Sequence, residues 1–361
     1  MKKVILRSVL FLAIGLLILS CKKDPYSNPD SVIVTQIATA SKYSVILKSD
    51  GTVWQSPGRT GGNTFEQIAT DVIAISCGTS NTYIIKEDNT LWVRGWNVYG
   101  QLGLGTITED EAEFVRAATS VKAVSASGEF ALIIKNDNSL WAAGRNQTHQ
   151  LGDGTDVNKS SFVRVTTNVA EISAGGSHSL IKKIDNSIWA FGYNIDGRLG
   201  DGTRTDALIP VKIFDNGIIS IHASSASFII REDNSLWETV DGVFVKSMDN
   251  VNKVRGNGRM LITIDSVLYG RGYSQYGELG DGCGRQASDK YRVLSLAKFI
   301  DVSTSGSHTL GIRKGSELWA TGSNTFGQLG DGSFEEACYF KNITNTNNHI
   351  SQVLCRDNHS F

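Results

Sequence analysis

The sequence predicts an all-β fold built from seven repeats of about 50 residues. Three observations carry this prediction: a large aromatic residue that returns at regular intervals, a turn residue four positions before it, and a glycine-rich loop after it. The apolar runs that flank the turns are short and rich in β-branched residues, which favours strands over amphipathic helices. Several strands in each repeat indicate a propeller or another repeat array rather than a single sandwich.

The recurring aromatic residue marks the same position in every repeat. Most intervals are 48 to 50 residues, and those before Trp92 and Tyr269 are 38 and 32 residues. Asp-Gly or Asp-Asn between two apolar runs predicts a hairpin with a tight primed turn, because these residues tolerate positive φ. The aromatic residues are Trp54, Trp92, Trp141, Trp189, Trp237, Tyr269 and Trp319. The turn residues are Asp50, Asp88, Asp137, Asp185, Asp233, Asp265 and Gly315.

A glycine-punctuated loop follows the aromatic residue in five of the repeats. Its first copy, Gly-Trp-Asn-Val-Tyr-Gly-Gln-Leu-Gly, spans residues 95–103. We expect its leucine, Leu102, to plug the loop against the core, and its glycines to allow conformations or close packing that a side chain would obstruct. His149 replaces one glycine, which predicts a different backbone in that loop. The first and fifth repeats lack the loop, which explains the two short intervals. The other copies span residues 144–152, 192–200, 272–280 and 322–330.

These features resemble the repeat of the regulator of chromosome condensation family, which combines G-x-x-H-x-L, a D-G-x-V-W hairpin and a G-x-N-x-x-G-Q-L-G-x-G loop. The resemblance recurs over residues 32–361 and implies a seven-bladed β-propeller. Two repeats fit the pattern closely. The first matches at Gly175, His178, Leu180, Asp185, Trp189, Gly192, Asn194, Gly197, Leu199, Gly200 and Gly202. The second matches at Gly306, His308, Leu310, Trp319, Gly322, Asn324, Gly327, Gln328, Leu329, Gly330 and Gly332.

Residues 1–21 predict a secretion signal that resembles those of bacterial lipoproteins. Two lysines precede a mostly apolar run from Val4 to Leu19, and Ser20-Cys21 ends it like a lipobox. We expect Cys21 to become the diacylated first residue of the mature chain, with residues 22–31 as a flexible tether. An uncleaved membrane anchor is the alternative, although the uninterrupted apolar part is short for a span.

The C-terminal tail and four further cysteines leave alternatives open. Residues 350–361 align with residues 73–83, so the tail forms either a closing strand beside an end blade, which we favour, or the start of an incomplete unit. Two disulfides are candidates, and buried free thiols are the alternative, because four cysteines are too few for a disulfide scaffold in a chain of this length. The candidate pairs are Cys77 with Cys355, which share a repeat position, and Cys283 with Cys338, which lie in neighbouring outer loops.

Composition and motifs argue against several function classes. A net charge of −1 with 20% charged residues argues against broad nucleic-acid binding, which needs a basic face. His178 and His308 share a repeat position that Phe130 and Ala226 fill elsewhere, so we interpret both histidines as structural. The sequence contains no zinc-protease, nucleophile-elbow or phosphate-cradling motif. We therefore predict no catalytic residue, no metal and no cofactor, and we expect a monomer.

The variable positions of the loop are the candidate binding residues. If the loops share one rim of the ring, these side chains form a patch rich in Tyr, Trp and Arg, the types enriched in binding hot spots. The alternative is that each ring caps its own blade. The position after the first glycine holds Trp96, Arg145, Tyr193 and Tyr273, and the position three residues later holds Tyr99, Asp196, Tyr276 and Phe326.

Three functions follow as hypotheses. The first is a lipid-anchored propeller at the bacterial outer membrane, on its surface or periplasmic side, that presents one face to a protein or glycan. The second is a lyase or hydrolase in the central channel, which would need charged residues unique to single blades at one channel mouth. The third, guanine-nucleotide exchange, is implied by the family resemblance. It requires a cytoplasmic GTPase, which a secretion signal argues against.

Overall fold

Seven four-stranded antiparallel sheets make up most of the described part of the chain. The computed structural model describes residues 34–39, 44–55, 66–255, 258–304, 308–313, 317–324, 335–342, 355–356 and 359–360. Over these residues the secondary structure consists of strands, bridges, turns and bends, which confirms the predicted all-β fold. This part of the chain holds no helix with the length and apolar character needed to span a membrane.

Each sheet corresponds to one repeat and forms one blade of the ring. Blade 1 contains β1 (Val34–Thr39), β2 (Ser44–Lys48), β3 (Val53–Gln55) and β4 (Glu66–Ala69). Blade 2 contains β5 (Val72–Cys77), β6 (Asn81–Lys86), β7 (Leu91–Asn97) and β8 (Thr108–Ala118). Blade 3 contains β9 (Val121–Ala126), β10 (Phe130–Lys135), β11 (Leu140–Gly144) and β12 (Lys159–Thr166). Blade 4 contains β13 (Val169–Ala174), β14 (His178–Lys183), β15 (Ile188–Gly192) and β16 (Ala207–Phe214).

The remaining blades follow the same plan. Blade 5 contains β17 (Ile218–Ala223), β18 (Ser227–Arg231), β19 (Leu236–Val240) and β20 (Val243–Met248). Blade 6 contains β21 (Val251–Arg255), β22 (Met260–Thr263), β23 (Leu268–Gly270) and β24 (Arg292–Ser295). Blade 7 contains β25 (Phe299–Thr304), β26 (His308–Arg313), β27 (Glu317–Gly322) and β28 (Ala337–Asn342). A tail hairpin consists of β29 (Cys355–Arg356) and β30 (His359–Ser360).

The strand order defines two faces of the ring. Strands follow one another in chain order within every blade, and the first strands of neighbouring blades contact each other, as β5 contacts β1 and β9. The first strands therefore lie nearest the axis, and the fourth strands form the outer edge. We call the face that carries the connections after the first and third strands the loop face. The opposite face, which carries the hairpins between second and third strands, is the turn face, and the chain enters each blade there.

The hairpins of the turn face differ from the prediction of primed turns. In blade 2 the Asn89 N–H donates to the Lys86 carbonyl at 2.9 Å, and the Lys86 N–H donates to the Thr90 carbonyl at 3.0 Å. Asn89 has a positive φ of 60°, whereas Asp88 does not. The loop is therefore three residues long, a type I turn followed by one left-handed residue. The equivalent residues Gly51, Asn138, Asn186, Asn234 and Ser266 also have positive φ.

The turn also fixes the recurring tryptophan. In blade 3 the Ser139 hydroxyl donates to Asp137 at 2.5 Å and accepts from the Trp141 indole N–H at 2.8 Å. Hydrogen bonds from the Ser139 hydroxyl and N–H hold the pKa of Asp137 below its ordinary value. The Lys135 ammonium lies 4.2 Å from the Trp141 ring centroid, and the ring packs against the core of blade 2. The recurring tryptophan of blade 3 thus packs between neighbouring blades.

The two ends of the chain carry predictions that the described residues do not test. In the tail, Cys355 pairs with Ser360 and Arg356 with His359, and β29 contacts β25 and β26 of blade 7. Whether this hairpin closes the ring stays a prediction. Residues 1–33, and with them the signal peptide, Cys21 and the tether, lie outside the described residues.

Candidate binding surface on the loop face

The asparagine and glutamine of the loop signature hold the loop together. In blade 2, Asn97 Oδ1 accepts a hydrogen bond from the Leu102 N–H at 3.0 Å, and Gln101 Oε1 accepts from the Tyr99 N–H at 3.0 Å. Asn146 and Asn194 make the first bond in blades 3 and 4. Leu102 is completely buried, as expected of a plug. Sequence reasoning had not assigned these roles to asparagine and glutamine, although their recurrence was visible.

The glycines at the end of the signature join each loop to the next blade, a connection that we call the clasp. In blade 4 the Gly202 N–H donates to the Gly242 carbonyl of blade 5 at 2.8 Å. The Phe244 ring packs on Gly200 so closely that a Cβ there would lie 2.4 Å from it. The same backbone bond connects Gly105 to Ser160, Gly154 to Leu208 and Gly282 to Cys338.

Side chains of the following blade complete the connection. Ser179, Ser227 and Thr309 donate hydrogen bonds to carbonyls of the preceding loop, at 2.9, 2.7 and 2.5 Å. His149 has a φ of 60°, close to the values at the equivalent glycines. The expectation of a different backbone at His149 was therefore wrong: the clasp imposes one conformation on the loop.

The first cluster of candidate residues lies between blades 2 and 3. The Trp96 and Tyr99 rings meet edge to face with centroids 5.4 Å apart, and the Arg145 guanidinium lies 5.6 Å from the Tyr99 centroid. Arg145 is also paired with Glu129 at 2.5 Å, and both side chains are about a third exposed. The structure thus brings three predicted residues together in one half-buried stack, with Glu129 as a member that the loop pattern did not reveal.

The second cluster belongs to blade 4 and is more self-contained. The Arg198 guanidinium lies 4.8 Å from the Tyr193 ring centroid and is paired with Asp196. The pairing with Arg198 holds the pKa of Asp196 below its ordinary value. Arg198 Nη1 also donates to the Ser177 hydroxyl at 3.2 Å. Because Tyr193 and Asp196 already have partners within their own loop, they resemble the alternative in which a ring caps its own blade.

The third cluster, on blades 6 and 7, is the most accessible. Tyr273 is 66% exposed and Tyr276 41%, and Tyr339 on the neighbouring outer strand is 66% exposed. Cys283 and Cys338 form a disulfide between these two blades, and a Cβ on Gly277 would lie 2.5 Å from the Cys338 Cα. Tyr276 and Tyr339 are therefore carried by two segments that a covalent bond holds together.

Three of the predicted residues, one on the loop surface and two cysteines, are described by the structure only in part or not at all. Phe326 lies outside the described residues, so its place in the patch stays a prediction. Cys77 is half-buried at the end of β5, and its Sγ lies 3.9 Å from the Thr82 hydroxyl. The pairing of Cys77 with Cys355 stays a prediction as well.

Charged residues of the inner strands were missed in the sequence. Asp301 of blade 7 accepts from Lys253 at 3.2 Å and from Arg255 at 3.3 Å, both from blade 6. Glu171 and Lys182 pair at 3.0 Å within blade 4. Asp301, Glu171, Lys253 and Arg255 replace Ala or Ser of other repeats and Lys182 replaces Ile, which is the signal that could have found them. Their ion pairs connect strands near the axis.

The Gly-Asp-Gly-Thr segment of residues 152–155 uses its carboxylate within the loop. Asp153 Oδ1 accepts from the Thr155 N–H at 3.0 Å and from Asn146 Nδ2 at 2.9 Å, and Lys159 pairs with Oδ2 at 3.2 Å. Within the described ranges, no group of three or more His, Cys, Asp and Glu side chains is arranged to hold a metal ion.

Comparison with known proteins identifies the repeat family that segments of this chain match. A family model of the regulator of chromosome condensation (RCC1) repeat matches residues 72–101 and 299–328, and a second model of this repeat matches residues 137–181. The chain is an RCC1-like repeat β-propeller. The matched segments cover the hairpins and, in blades 2 and 7, the start of the loop signature.

Several solved structures share the fold at low sequence identity. Human WBSCR16 has a TM-score of 0.66 and 18% identity, over 84% of this chain and 91% of that chain. Prp20p from Saccharomyces cerevisiae, solved in a study of its binding to Gsp1p and histones, has a TM-score of 0.57 and 16% identity, over 91% of this chain and 81% of its own. Yeast RCC1 (Prp20) has also been solved bound to Kap60.

Proposed function

We propose that this chain is a lipid-anchored scaffold of the bacterial cell envelope that binds a protein or glycan through its loop face. The proposal rests on the different roles of the signature residues and the variable residues of the loop. The signature residues bond to their own loop or to the next blade, whereas neighbouring variable positions expose Tyr273 and Tyr276. Exposed tyrosines on a rigid frame supply contact area at low cost in conformational entropy, which suits them to binding.

The third cluster is the leading contact surface. Tyr273, Tyr276 and Tyr339 are the most exposed aromatic side chains in the described part of the chain, and the disulfide fixes the segments that carry two of them. Arg285 is more than half exposed beside them, and arginine and tyrosine are both enriched in hot spots. The stack of Trp96, Tyr99 and Arg145 would extend the surface towards blades 2 and 3.

The similar structures support a binding role without naming the partner. The yeast protein, which shares the fold, is described as binding Gsp1p and histones, so rings of this kind are used to bind proteins. Gsp1p and histones are not proposed as partners here, because the lipobox-like Ser20-Cys21 sequence would carry this chain out of the cytoplasm.

The binding surface is tested by affinity capture from the envelope with the purified ring as bait. Tyr273→Ala/Tyr276→Ala should weaken binding of the captured partner at least about tenfold, because hot-spot tyrosines contribute more than about 1 kcal/mol each. The matched control is Ile209→Ala, which shortens an exposed side chain on the outer edge of blade 4. A partner whose affinity is unchanged by the tyrosine variant, or equally reduced by the control, would contradict a loop-face site.

The anchor is tested separately in cells. Cys21→Ala should move the protein from the membrane to the soluble fraction, because the acyl chains would be lost. A variant that stays with the membrane would show that the lipobox interpretation is wrong. Protease treatment of intact cells then separates the two sides: degradation indicates the cell surface, and protection indicates the periplasmic side.

A further inference from the structure

The turn face carries a set of exposed aliphatic side chains that the proposed binding surface does not use. They occupy two repeat positions: the first residue of the hairpin turn, and the bulge residue near the start of the first strand. The turn residues are Ile184 and Ile264, the bulge residues are Ile73, Ile219 and Ile300, and Leu296 precedes blade 7. Their exposed fractions range from 38% to 75%. Other blades place Lys, Asn, Glu, Ser, Thr or Ala at these positions.

Most of these side chains lie on neighbouring blades. Lys182, two residues before Ile184, donates to the Ile219 carbonyl at 3.0 Å, which ties blades 4 and 5 together on this face. The Phe299 N–H donates to the Ser266 carbonyl at 2.9 Å, which ties the turn of Ile264 to the entrance of blade 7. Apart from Ile73 of blade 2, the aliphatic set therefore extends across blades 4 to 7 of the turn face rather than being scattered around the whole molecule.

The chain enters the ring on this same face. β1 begins at Val34, and the first strand of each blade runs from the turn face to the loop face. Twelve residues separate Cys21 from Val34. Fully extended, they span about 40 Å at most, since each residue contributes roughly 3.3–3.6 Å. A lipid on Cys21 would thus hold the turn face, not the loop face, next to the bilayer.

Charges on the turn face are mixed, with both signs side by side. Lys183 lies 4.0 Å from the Trp189 ring centroid, and Asp185 and Lys212 attract each other near the same turn. Paired charges of this kind do not select strongly anionic lipids, and Lys and Trp side chains are suited to the boundary between headgroups and acyl chains.

We propose that the turn face lies on the lipid bilayer, with Ile184, Ile219, Ile264, Leu296 and Ile300 in contact with zwitterionic phospholipids. This inference rests on the proposed lipid anchor and adds the orientation of the ring. The short tether and the aliphatic contacts are both on the turn face. Together they orient the loop face away from the membrane. Exposed aliphatic area of this kind binds membranes weakly by itself and adds to a covalent anchor.

Tryptophan fluorescence tests the orientation directly. Six tryptophans follow the turns closely, whereas Trp96 lies at the loop face. The lipidated chain is reconstituted in phosphatidylcholine–phosphatidylethanolamine vesicles whose acyl chains are brominated near the headgroup. Quenching is expected, and Ile184→Asp/Ile264→Asp should reduce it to less than half. The matched control is Ile107→Asp/Ile195→Asp, which adds the same charges at exposed isoleucines of the loop face and should leave quenching unchanged.

The outcomes distinguish a failure of this inference from a failure of the proposed lipid anchor. Mass spectrometry of the N-terminal peptide shows whether Cys21 carries acyl chains. If it does not, the chain is attached to nickel-chelating lipids by an N-terminal histidine tag and the quenching experiment is repeated. Quenching that persists there and falls in the turn-face variant supports the inference although the anchor has failed. Absent quenching with the chain attached, or equal loss in the control variant, would overturn it.

Discussion

Two junctions of blade 5 join its neighbours in different ways. Towards blade 4, the Gly202 N–H reaches the Gly242 carbonyl, Phe244 packs on Gly200, and the Ser173 hydroxyl accepts from the Ala223 N–H at 2.9 Å. This junction uses the clasp and a serine near the axis. Blades 2 and 3 and blades 3 and 4 are joined by the same two devices.

The junction between blades 5 and 6 has neither the loop nor the serine. Asp241 and Gly242 join β19 to β20, and both have positive φ, so they form a primed turn. This connection therefore has no loop that could contact blade 6. His222 stands where the serine stands in other blades. Instead, Arg271 of blade 6 makes a two-pronged ion pair with Glu238 of blade 5 and also donates to the Gly258 carbonyl at 3.2 Å.

The difference shows what the loop signature does. Where the signature is present, glycine and backbone atoms join the blades. At the junction of blades 5 and 6, where it is absent, a largely buried pair of opposite charges does so, covered by Tyr291, whose ring centroid lies 4.5 Å from the Arg271 guanidinium. A buried ion pair is stable only while both partners remain, so the two junctions should respond very differently to substitution.

The largest expected effect is at the ion-pair junction. Arg271→Met should lower the free energy of unfolding by about 3–5 kcal/mol, because Glu238 is left buried without its partner. Urea unfolding measures the loss. Arg271→Met/Glu238→Met should recover most of it, since no unpaired charge then remains. Arg145→Met is the control, because its pair with Glu129 is about a third exposed and should contribute at most about 1 kcal/mol. Equal losses at Arg271 and Arg145 would contradict the comparison.

The clasp junction should be sensitive to a single added methyl group. Gly200→Ala is expected to cost about 2–4 kcal/mol, because Gly200 has a φ of 73° and the new Cβ would meet the Phe244 ring. Gly202→Ala is the matched control: it has a φ of 82° but no atom within 4 Å of a new Cβ, so only about 1 kcal/mol of conformational cost remains. Thermal or urea unfolding compares the two variants. Similar losses of stability would show that packing of the Phe244 ring on Gly200 is not important.

Acid should weaken the junction between blades 4 and 5 through His178. Burial, with a smaller contribution from the Arg198 charge, lowers the pKa of His178 from 6.5 to about 3. Below pH 6.5 this histidine therefore binds a proton in the unfolded chain but stays neutral in the folded chain. The stability that this histidine contributes is complete above pH 6.5 and is lost at about 1.4 kcal/mol per pH unit as the pH falls towards 3.

The pH dependence is measured by urea unfolding at pH about 7 and about 5. His178→Phe, which places the Phe130 side chain type at the same repeat position, should flatten the curve by roughly 1.4 kcal/mol per pH unit. His222→Phe is the comparison at the other junction. Because burial lowers the pKa of His222 to about 4, His222→Phe should flatten the curve by nearly the same amount between pH about 7 and about 5, and the two variants should differ only below about pH 5. An unchanged slope in His178→Phe would show that His178 is not the group responsible.

Sequence reasoning predicted those parts of the fold that depend on local periodicity. The strands around Trp141 and the buried Leu102 follow from alternation and from recurrence of one pattern. It left as a condition that the loops share one rim, and the strand order places the described loops on one face. It was wrong on the primed turns, because Asp-Asn fits a type I turn followed by a left-handed asparagine just as well.

Contacts between repeats could not be predicted in the same way. The pair of Arg271 with Glu238 has one counterpart in the repeats, Arg94 with Gln55, and two copies of which only one carries a carboxylate give a weak signal. The candidate residues looked equivalent in the sequence, yet Tyr193 is covered by Arg198 whereas Tyr273 is exposed. That difference depends on Arg198, which replaces the signature glutamine in blade 4, whereas blade 6 has Glu278 at that position.

The direction of the clasp has a consequence for how the protein is made. The described Gly-x-Gly segments of blades 2, 3, 4 and 6 bond to the outer strand of the next repeat or to the turn just before it, so the donor leaves the ribosome before its acceptor. Each of these four blades therefore emerges with an unfilled connection that only the following blade completes, and contacts between blades form mostly between chain neighbours. Assembly can then keep pace with synthesis, one blade at a time, from the N-terminus onwards.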